Sequence, residues 1–155
     1  MAAKATQATR VAERAKIAFT LHEYEHDPSA ASFALEAVEL LGLDAGRVFK
    51  TLVVLRDGKP AVCVIPASAT LDLRALGKRS EMAPTDHAER LTGYVAGGIS
   101  PLGQKRPLPT LVDDSALEFD TIYVSAGRRG LEIELAPADL VALTKGEVRP
   151  LRRDA

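Results

Sequence analysis

The sequence Val48-Phe-Lys-Thr-Leu-Val-Val-Leu55, continued by Arg56-Asp-Gly-Lys59 and Ala61-Val-Cys-Val-Ile65, decides the fold of this chain. Two apolar runs flank an Asp-Gly pair, which favours a tight β-hairpin because such turns need positive φ angles. Both strands are apolar on both faces, so we expect them in the middle of a covered sheet. The hairpin therefore predicts a sheet with helices packed on it.

The chain before the hairpin predicts two helices and one strand. Apolar residues at helical spacing indicate a helix over residues 4–18, and alternation indicates a strand from Phe19 to Tyr24. A breaker, His26-Asp-Pro-Ser29, follows this strand. A second helix is predicted to begin after an N-cap at Ser32 and to end at Gly42, because glycine suits the left-handed conformation that closes a helix.

The chain after the hairpin alternates between short helices and short strands. The predicted helices are Leu71–Gly77, Thr85–Leu91 with a cap at Thr85, and Ala138–Thr144 opened by Pro137. The predicted strands are Tyr94–Ala96, Thr110–Val112, Thr121–Ser125 and Leu131–Leu135. In the last strand three aliphatic residues alternate with Glu132 and Glu134, which predicts one apolar side and one side in water.

The totals favour one α+β domain. The chain has 155 residues, 46% hydrophobic and 26% charged, which suits a single globular domain with its own core over residues 1–155. Hairpins mixed with helices predict one mixed, mostly antiparallel sheet with helices packed on it. The segment 147–155 carries three arginines and is predicted to be a mobile basic tail.

Charge and cysteine content narrow the possible functions. The net charge is −1, so no global basic field is available to hold nucleic acid, and any RNA contact must come from a local patch. The single cysteine, Cys63, cannot form an internal disulfide, and its apolar neighbours predict a buried, unreactive thiol. No apolar run approaches the ~20 residues that cross a bilayer, and the N-terminus lacks a signal-peptide segment. We therefore predict a cytoplasmic protein that contacts neither membrane nor DNA.

A second informative stretch is Gly93-Tyr-Val-Ala-Gly-Gly-Ile-Ser-Pro-Leu-Gly-Gln-Lys-Arg-Pro-Leu-Pro109. Adjacent glycines allow close approach of a ligand to the backbone, and their N–H groups can hold an anion or a developing oxyanion. Pro101 would stiffen this loop, and a basic pair lies beside it. On glycine and proline content alone, a long surface turn explains the stretch equally well.

Two further sets of residues suggest a ligand site. Lys50 interrupts an apolar strand and is followed by Thr51, so its ammonium must either reach water at the strand end or contact a ligand. The turn Gly127-Arg-Arg-Gly130 offers donors for a phosphate or a nucleic-acid strand. A solvated lysine and a solvated turn remain the alternatives at this point.

Familiar catalytic motifs are absent from the sequence. There is no G-x-S-x-G elbow, no H-E-x-x-H, no Walker loop and no Ser-His-Asp spacing. His22 and His26 stand four residues apart, but His22 falls on a predicted strand, His26 begins the breaker, and no third ligand is nearby. We therefore expect no metal and no cofactor. An enzyme with this sequence would act through positioning and electrostatics.

Several blocks of the chain resemble the YbaK/EbsC family of aminoacyl-tRNA deacylases. The blocks are Tyr24-Glu-His-Asp, Val48-Phe-Lys-Thr-Leu-Val, Gly93 through Lys105, Thr121-Ile-Tyr-Val-Ser and Arg129-Gly-Leu-Glu-Ile-Glu-Leu. They occur in the family's order over about residues 9–144, and Gly-Gly-Ile-Ser-Pro-Leu-Gly-Gln-Lys is the most specific of them. The resemblance implies the α+β fold of the YbaK/prolyl-tRNA-synthetase-associated domain.

The resemblance also implies a set of site residues. The essential lysine of the family matches Lys50, its pocket tyrosine and phenylalanine match Tyr24 and Phe33, and its glycine-proline loop runs from Gly97 to Pro101. Catalytic roles are therefore expected for Lys50, Gly97, Gly98 and Ile99. Substrate-binding roles are expected for Tyr24, Phe33, Thr51, Ser100, Pro101, Gly127, Arg128 and Glu132. At Glu132 relatives often carry Asp.

The activity implied by the resemblance is hydrolysis of Cys-tRNA(Pro), the product of mischarging by prolyl-tRNA synthetase. The cysteine thiol of the substrate would attack its own ester carbonyl, so the protein would need no nucleophile. The expected partners are the misacylated tRNA and prolyl-tRNA synthetase, which would supply tRNA choice. The alternatives are a deacylase for Ser- or Ala-charged tRNA that uses water, and a non-catalytic module that binds nucleotides or tRNA ends.

Overall fold

The computed structural model describes residues 5–25 and 33–153, and these form an α+β domain. Four α-helices are present: α1 (Gln7–Ala15), α2 (Phe33–Leu41), α3 (Thr85–Thr92) and α4 (Pro137–Thr144). Eight strands are present: β1 (Phe19–Glu23), β2 (Phe49–Arg56), β3 (Lys59–Pro66), β4 (Ser80–Met82), β5 (Thr110–Asp113), β6 (Ile122–Arg128), β7 (Leu131–Leu135) and β8 (Glu147–Arg149). Two 3₁₀ turns, Leu73–Leu76 and Asp114–Glu118, complete the described elements.

The strands form two sheets that meet at the start of β2. One sheet is antiparallel in the order β1-β7-β6, and the other is mixed in the order β4-β2-β3-β5-β8. A parallel bridge between Val48 and Tyr123 joins them, with the Tyr123 amide donating to the Arg47 carbonyl at 3.1 Å. The α+β class is confirmed, but the strands divide between two sheets where one was expected.

The predicted β2–β3 hairpin is present in full register. Its strands pair antiparallel from Phe49↔Pro66 to Arg56↔Lys59. Asp57 and Gly58 both have positive φ, 52° and 80°, as a two-residue hairpin turn requires. β5 and β8 then add in parallel beyond β3. The apolar hairpin therefore lies inside the larger sheet, as its two apolar faces predicted.

One hydrophobic core serves both sheets. Phe49, Val53 and Val64 of the five-stranded sheet pack with Val124 and Ile133 of the three-stranded sheet. Smaller clusters lie on the other side of each sheet. Helix α1 closes the shared core through Ala8 and Ala12, which are fully buried. The two sheets therefore pack against each other through this shared core.

Three local predictions are wrong. The short strand at Tyr94–Ala96 is not a strand: Tyr94 is buried, and its hydroxyl donates to the Leu102 carbonyl at 2.6 Å inside a loop. The predicted helix at Leu71–Gly77 is only the 3₁₀ turn Leu73–Leu76. The mobile tail is also wrong for residues 147–153, because β8 pairs with β5 and Leu151 is fully buried.

The buried carboxylate of Asp113 explains the ordered C-terminal segment. It accepts the Leu151 amide at 2.8 Å and lies 2.9 Å from the Arg152 guanidinium. A carboxylate buried in this way needs such partners, and these partners lie beyond the predicted domain core. The predicted breaker at 26–29 and the Ser32 cap lie outside the described residues. Among the described helices, none is long and apolar enough to cross a membrane.

Candidate active site

The candidate site is a cavity of about 380 Å³ at an open stretch of the β2 edge. Among the described residues, β6 bridges to this edge only at Val48, just before β2, and β4 pairs with β2 only from Val54 onward. Between these points the edge of β2 faces the cavity. The walls come from β6–β7, from β4 and the start of α3, from α2, and from the Gly93–Pro109 loop. A volume of this size suits a small ligand or the end of a larger one.

Lys50 lies on the open stretch of β2 and lines the cavity. Its side chain is half-buried, and this burial lowers the pKa of its ammonium. In the part of the chain that the structure describes, the ammonium forms no ion pair. Because an unpaired half-buried cation is costly, Lys50 is poised to bind an anionic group.

Glu132 of β7 lines the same cavity and is buried, whereas its side of the strand was predicted to lie in water. Its residue is only 6% exposed, and burial raises the pKa of its carboxyl to about 8. The alternation of β7 is as predicted, because Leu131, Ile133 and Leu135 face the core. The opposite side was expected in water, but α2 packs against Tyr123 of the neighbouring β6 on that side, and Ala34 joins Glu132 in the cavity wall. Glu132 is therefore an uncharged acid at neutral pH.

Tyr24 follows β1 and lies near Glu132. Its amide donates to the Gly130 carbonyl at 2.9 Å. Burial, and secondarily the negative charge of Glu132, raise the pKa of its phenol to about 12. Tyr24 is thus a neutral hydroxyl beside the cavity. Phe33 begins α2, whose next residue lines the cavity, but the Phe33 side chain is outside what the structure describes.

The glycine loop contributes Gly97 and Ile99 to the cavity, but not Gly98. Gly97 has φ of 89°, which only glycine adopts readily. Gly98 faces the other way: a Cβ there would lie 2.6 Å from Arg128 Cα. Its amide donates to the Val95 carbonyl at 2.9 Å, so it offers no free donor. Of the two glycines, Gly97 therefore lines the cavity, and Gly98 packs against the backbone of Arg128.

Ser100 and Pro101 are buried behind the loop and do not line the cavity. The Ser100 hydroxyl accepts the Leu102 amide at 3.2 Å, and the Ser100 carbonyl accepts the Gln104 side-chain amide at 2.9 Å. These bonds shape the turn that presents Gly97. The structure thus assigns both residues to the support of the loop.

Gly127 and Arg128 also lie away from the cavity. Gly127 has φ of 107°, and a Cβ there would lie 2.8 Å from the Tyr94 ring. The Arg128 guanidinium lies 3.1 Å from the Glu23 carboxylate. The glycine thus permits close packing and the arginine contacts β1. Both residues line a neighbouring cavity together with Ala96 and Gly98, and their substrate-binding roles stay predictions.

The structure therefore brings together Lys50, Thr51, Gly97, Ile99 and Glu132, with Tyr24 nearby. Ser125 of β6, the register partner of Glu132, also lines the cavity and was not predicted as a site residue. The block Thr121-Ile-Tyr-Val-Ser contained this residue, but only strand pairing shows that it faces the cavity. Among the described residues, no cluster of three or more His, Cys, Asp or Glu is arranged to hold a metal ion.

Cys63 is buried in the other apolar cluster and does not line the cavity. Burial raises the pKa of its thiol to about 11, so the thiolate is scarce at neutral pH. This confirms the predicted burial of the thiol. The protein's own cysteine is therefore not a nucleophile for the cavity.

The sequence identifies the class of domain that carries this fold and cavity. Residues 27–143 match the aminoacyl-tRNA editing domain. The chain therefore belongs to that family.

Relatives at the level of single proteins agree. The chain is 42% identical over 149 residues to EbsC of Enterococcus faecalis, which is named as a candidate Cys-tRNA(Pro)/Cys-tRNA(Cys) deacylase. The match covers 92% of this chain and 90% of EbsC. The resemblance to the YbaK/EbsC deacylases is thus confirmed.

Solved structures share the fold. A candidate trans-editing enzyme for prolyl-tRNA synthetase superimposes with a TM-score of 0.77 at 24% identity, covering 96% of this chain and 98% of that chain. The hypothetical protein APE2540 superimposes with a TM-score of 0.84 at 25% identity, covering 96% and 100%. At these identities the likeness speaks to the fold.

Proposed function

We propose that this protein is a trans-editing deacylase that hydrolyses misacylated Cys-tRNA(Pro). The observation that carries the proposal is a cavity with a binding cation and no nucleophile of its own. No cysteine or histidine lines it, and none of its hydroxyls (Thr51, Thr85 and Ser125) is hydrogen-bonded to a side-chain base in the described chain. Family membership and the name of EbsC support the substrate.

A substrate that carries its own nucleophile suits such a cavity. The cysteine sulfur attacks the ester carbonyl carbon, so an S–C bond forms and the C–O bond to the ribose breaks. The thiol proton ends on the departing ribose hydroxyl, and water then opens the thiolactone to free cysteine. The protein has to hold the reacting groups together and to stabilise the charge that develops on the carbonyl oxygen.

The residues of the cavity divide this work. The Lys50 ammonium binds the phosphate of the terminal nucleotide, because it is half-buried and has no ion-pair partner among the described residues. Gly97 and Ile99 carry amides without a hydrogen-bond partner in the described chain, and these are the loop's available oxyanion donors. Gly98 supports them through its contact with Arg128. Tyr24 and the neutral Glu132 shape the amino-acid end of the cavity.

A second candidate is a broader deacylase that uses water, and Glu132 favours it. With a pKa of about 8, a minority of Glu132 is ionised at neutral pH, and this form can take a proton from water. Such an enzyme would not need the substrate thiol. It would hydrolyse seryl or alanyl esters as readily as cysteinyl esters.

One experiment separates these functions. Cysteine and 2-aminobutyrate are charged onto tRNA(Pro), and release of each amino acid by the purified protein is followed. The two differ only by a thiol in place of a methyl group. Preferential release of cysteine supports thiol attack, and equal rates support water. Binding of the charged tRNA without release of either would overturn both enzymatic functions.

We further propose prolyl-tRNA synthetase as the partner that selects the tRNA. The chain carries a net charge of −1, so it lacks a general field for RNA. A synthetase that holds the tRNA would supply the missing phosphate contacts, and both proteins would act in the cytoplasm, where tRNA is charged. Addition of the synthetase should raise kcat/KM for Cys-tRNA(Pro) and leave that for Cys-tRNA(Cys) unchanged. Equal effects on both tRNAs would contradict this partnership.

A further inference from the structure

The open stretch of the β2 edge contains Thr51, whose backbone N–H and C=O have no strand partner among the described residues. On one side, the Ala67 amide donates to the Val48 carbonyl at 2.7 Å, which directs the groups of Val48 towards β3. On the other, the Ala83 amide donates to the Val53 carbonyl at 3.0 Å, which directs the groups of Val53 towards β4. Backbone groups alternate in direction along an antiparallel strand. The N–H and C=O of Thr51 therefore point with those of Val53, towards the open edge.

No described strand continues opposite Thr51. β4 ends at Met82 and the bridge to β6 lies at Val48, so the backbone of Thr51 faces the cavity that it lines. Its hydroxyl is also buried and has no hydrogen-bond partner in the described chain. Buried polar groups in proteins are nearly always paired. The N–H, the C=O and the hydroxyl of Thr51 could therefore all hydrogen-bond to a ligand that has both a donor and an acceptor.

An aminoacyl ester has the required arrangement, because it is one residue of a peptide chain. Two residues that face each other in a hydrogen-bonded antiparallel pair exchange both of their N–H···O=C bonds. An aminoacyl group opposite Thr51 would donate from its α-amine to the Thr51 carbonyl and accept at its ester carbonyl from the Thr51 N–H. Docking onto a free strand edge is a known way to bind extended peptide groups.

We propose that the aminoacyl group of the substrate docks on the β2 edge as a one-residue strand, paired with the backbone of Thr51. This inference rests on the proposed function and assigns the binding of the α-amine, which the cavity side chains leave open. The Thr51 N–H then also lies at the oxygen where charge develops, beside Gly97 and Ile99. The Thr51 carbonyl would therefore bind the free α-amine of any aminoacyl ester, whereas selection for the thiol would depend on other groups.

The first test changes the substrate and leaves the protein intact. tRNA(Pro) is charged with cysteine or with 3-mercaptopropionate, which keeps the ester and the thiol but lacks the α-amine. We expect kcat/KM for the desamino ester to fall at least about 10-fold, after correction for its spontaneous hydrolysis, since one charge-assisted hydrogen bond is lost. Equal kcat/KM for the two esters would overturn the docking.

The second test removes the Thr51 N–H. Replacement of Thr51 by its α-hydroxy acid turns the amide into an ester, and we expect kcat for Cys-tRNA(Pro) to fall about 10- to 100-fold. The matched control is the same replacement at Leu21. The Tyr24 amide donates to the Gly130 carbonyl, so by alternation the Leu21 N–H points away from β7 at the free edge of β1. The control should retain full kcat.

The outcomes are distinguishable. Equal kcat for the Thr51 and Leu21 backbone esters, both folded by circular dichroism, would overturn the inference while the proposed function stands. Absence of cysteine release by the unmodified protein would overturn the proposed function and this inference together, and it would be seen before any variant is made. If the Thr51 ester does not fold, the desamino substrate still decides.

Discussion

Glu132 and Glu134 lie two residues apart on the same side of β7, yet their surroundings shift the pKa values of their carboxyls in opposite directions. Burial raises the pKa of Glu132 to about 8. The pKa of Glu134 is lowered, first by the Thr121 hydroxyl that donates to it at 2.6 Å, and then by His22 and Arg47. The spacing between the two is only about 7 Å along the strand.

The difference lies in partners. Glu134 is held by Thr121, by Arg47 at 3.3 Å and by His22 at 2.8 Å, and His22 also packs edge-on against Tyr123. This surface cluster fixes the bridge between the two sheets. Glu132 has no hydrogen bond or ion pair in the described chain and faces the cavity. Satisfied charge thus supports the fold, while unsatisfied polar groups mark the place for a ligand.

The largest expected difference is between Lys50, which lines the cavity near Glu132, and Arg47, which contacts Glu134. Lys50→Ala should lower kcat/KM for Cys-tRNA(Pro) at least about 100-fold with the melting temperature little changed, because the phosphate loses its cation. Arg47→Ala removes a cation three residues earlier, in the Glu134 cluster, and should keep kcat/KM within about 3-fold while lowering stability by about 1 kcal/mol. Near-normal turnover by Lys50→Ala would remove the pocket from the mechanism.

The pH dependence of stability tests Glu132. A carboxyl with a raised folded pKa stabilises the protein below its unfolded pKa, and this contribution is lost as the pH rises towards about 8. We expect stability to decline by up to about 1.4 kcal/mol per pH unit over this window in the native protein. Glu132→Gln should flatten the decline. Urea unfolding at several pH values measures this, and parallel curves would show that the carboxyl is solvated.

Glu134 should respond in the opposite sense. Its folded pKa is depressed, so its stabilising effect is present at neutral pH and is lost as the pH falls through the folded pKa. Glu134→Gln should therefore cost about 1 kcal/mol at pH 7 and almost nothing in strong acid. The same urea titrations measure the difference. A cost that persists in acid would mean that shape, rather than charge, holds the cluster.

Substitution of Cys63 is expected to have the smallest effect on activity, and it provides a second buried group to compare with Glu132. Its thiol pKa is raised by burial as that of Glu132 is, but it lies outside the cavity. Cys63→Ala should leave deacylation unchanged, because the reacting thiol belongs to the substrate, and should lower stability by about 1 kcal/mol. Complete loss of activity in a folded Cys63→Ala protein would place the nucleophile on the enzyme.

Much of the fold was predictable because its signals are local. The hairpin needed only Asp57-Gly58 between two apolar runs, and helices α3 and α4 begin at Thr85 and Pro137 as predicted. The predicted cap at Thr85 is wrong, because Thr85 is the first helical residue and Pro84 precedes it as the N-cap. Lys50 was identifiable because a cation in an apolar strand needs an explanation. These features depend on neighbours in the chain, so the sequence carries them directly.

The remainder depended on residues that are distant in sequence. Period-two alternation gives the polar side of β7, but whether Glu132 is wet depends on α2. A Cβ at Gly98 would lie within 3 Å of backbone, and a Cβ at Gly127 within 3 Å of an aromatic ring, so both positions need glycine for packing. In the sequence alone, such glycines cannot be told from those of a ligand-binding loop. The role of the Thr51 backbone follows from where β4 ends, and no side-chain pattern reports that.

The cavity is walled partly by core residues, and this limits how its amino-acid preference can be altered. Phe49, Val53 and Ala88 belong to the shared core as well as to the cavity, so enlarging the space through them would also cost folding free energy. Met82, 44% exposed at the rim, and Ala96 lie outside that core. A designer who wants a different misacylated residue to be accepted should start from these two positions.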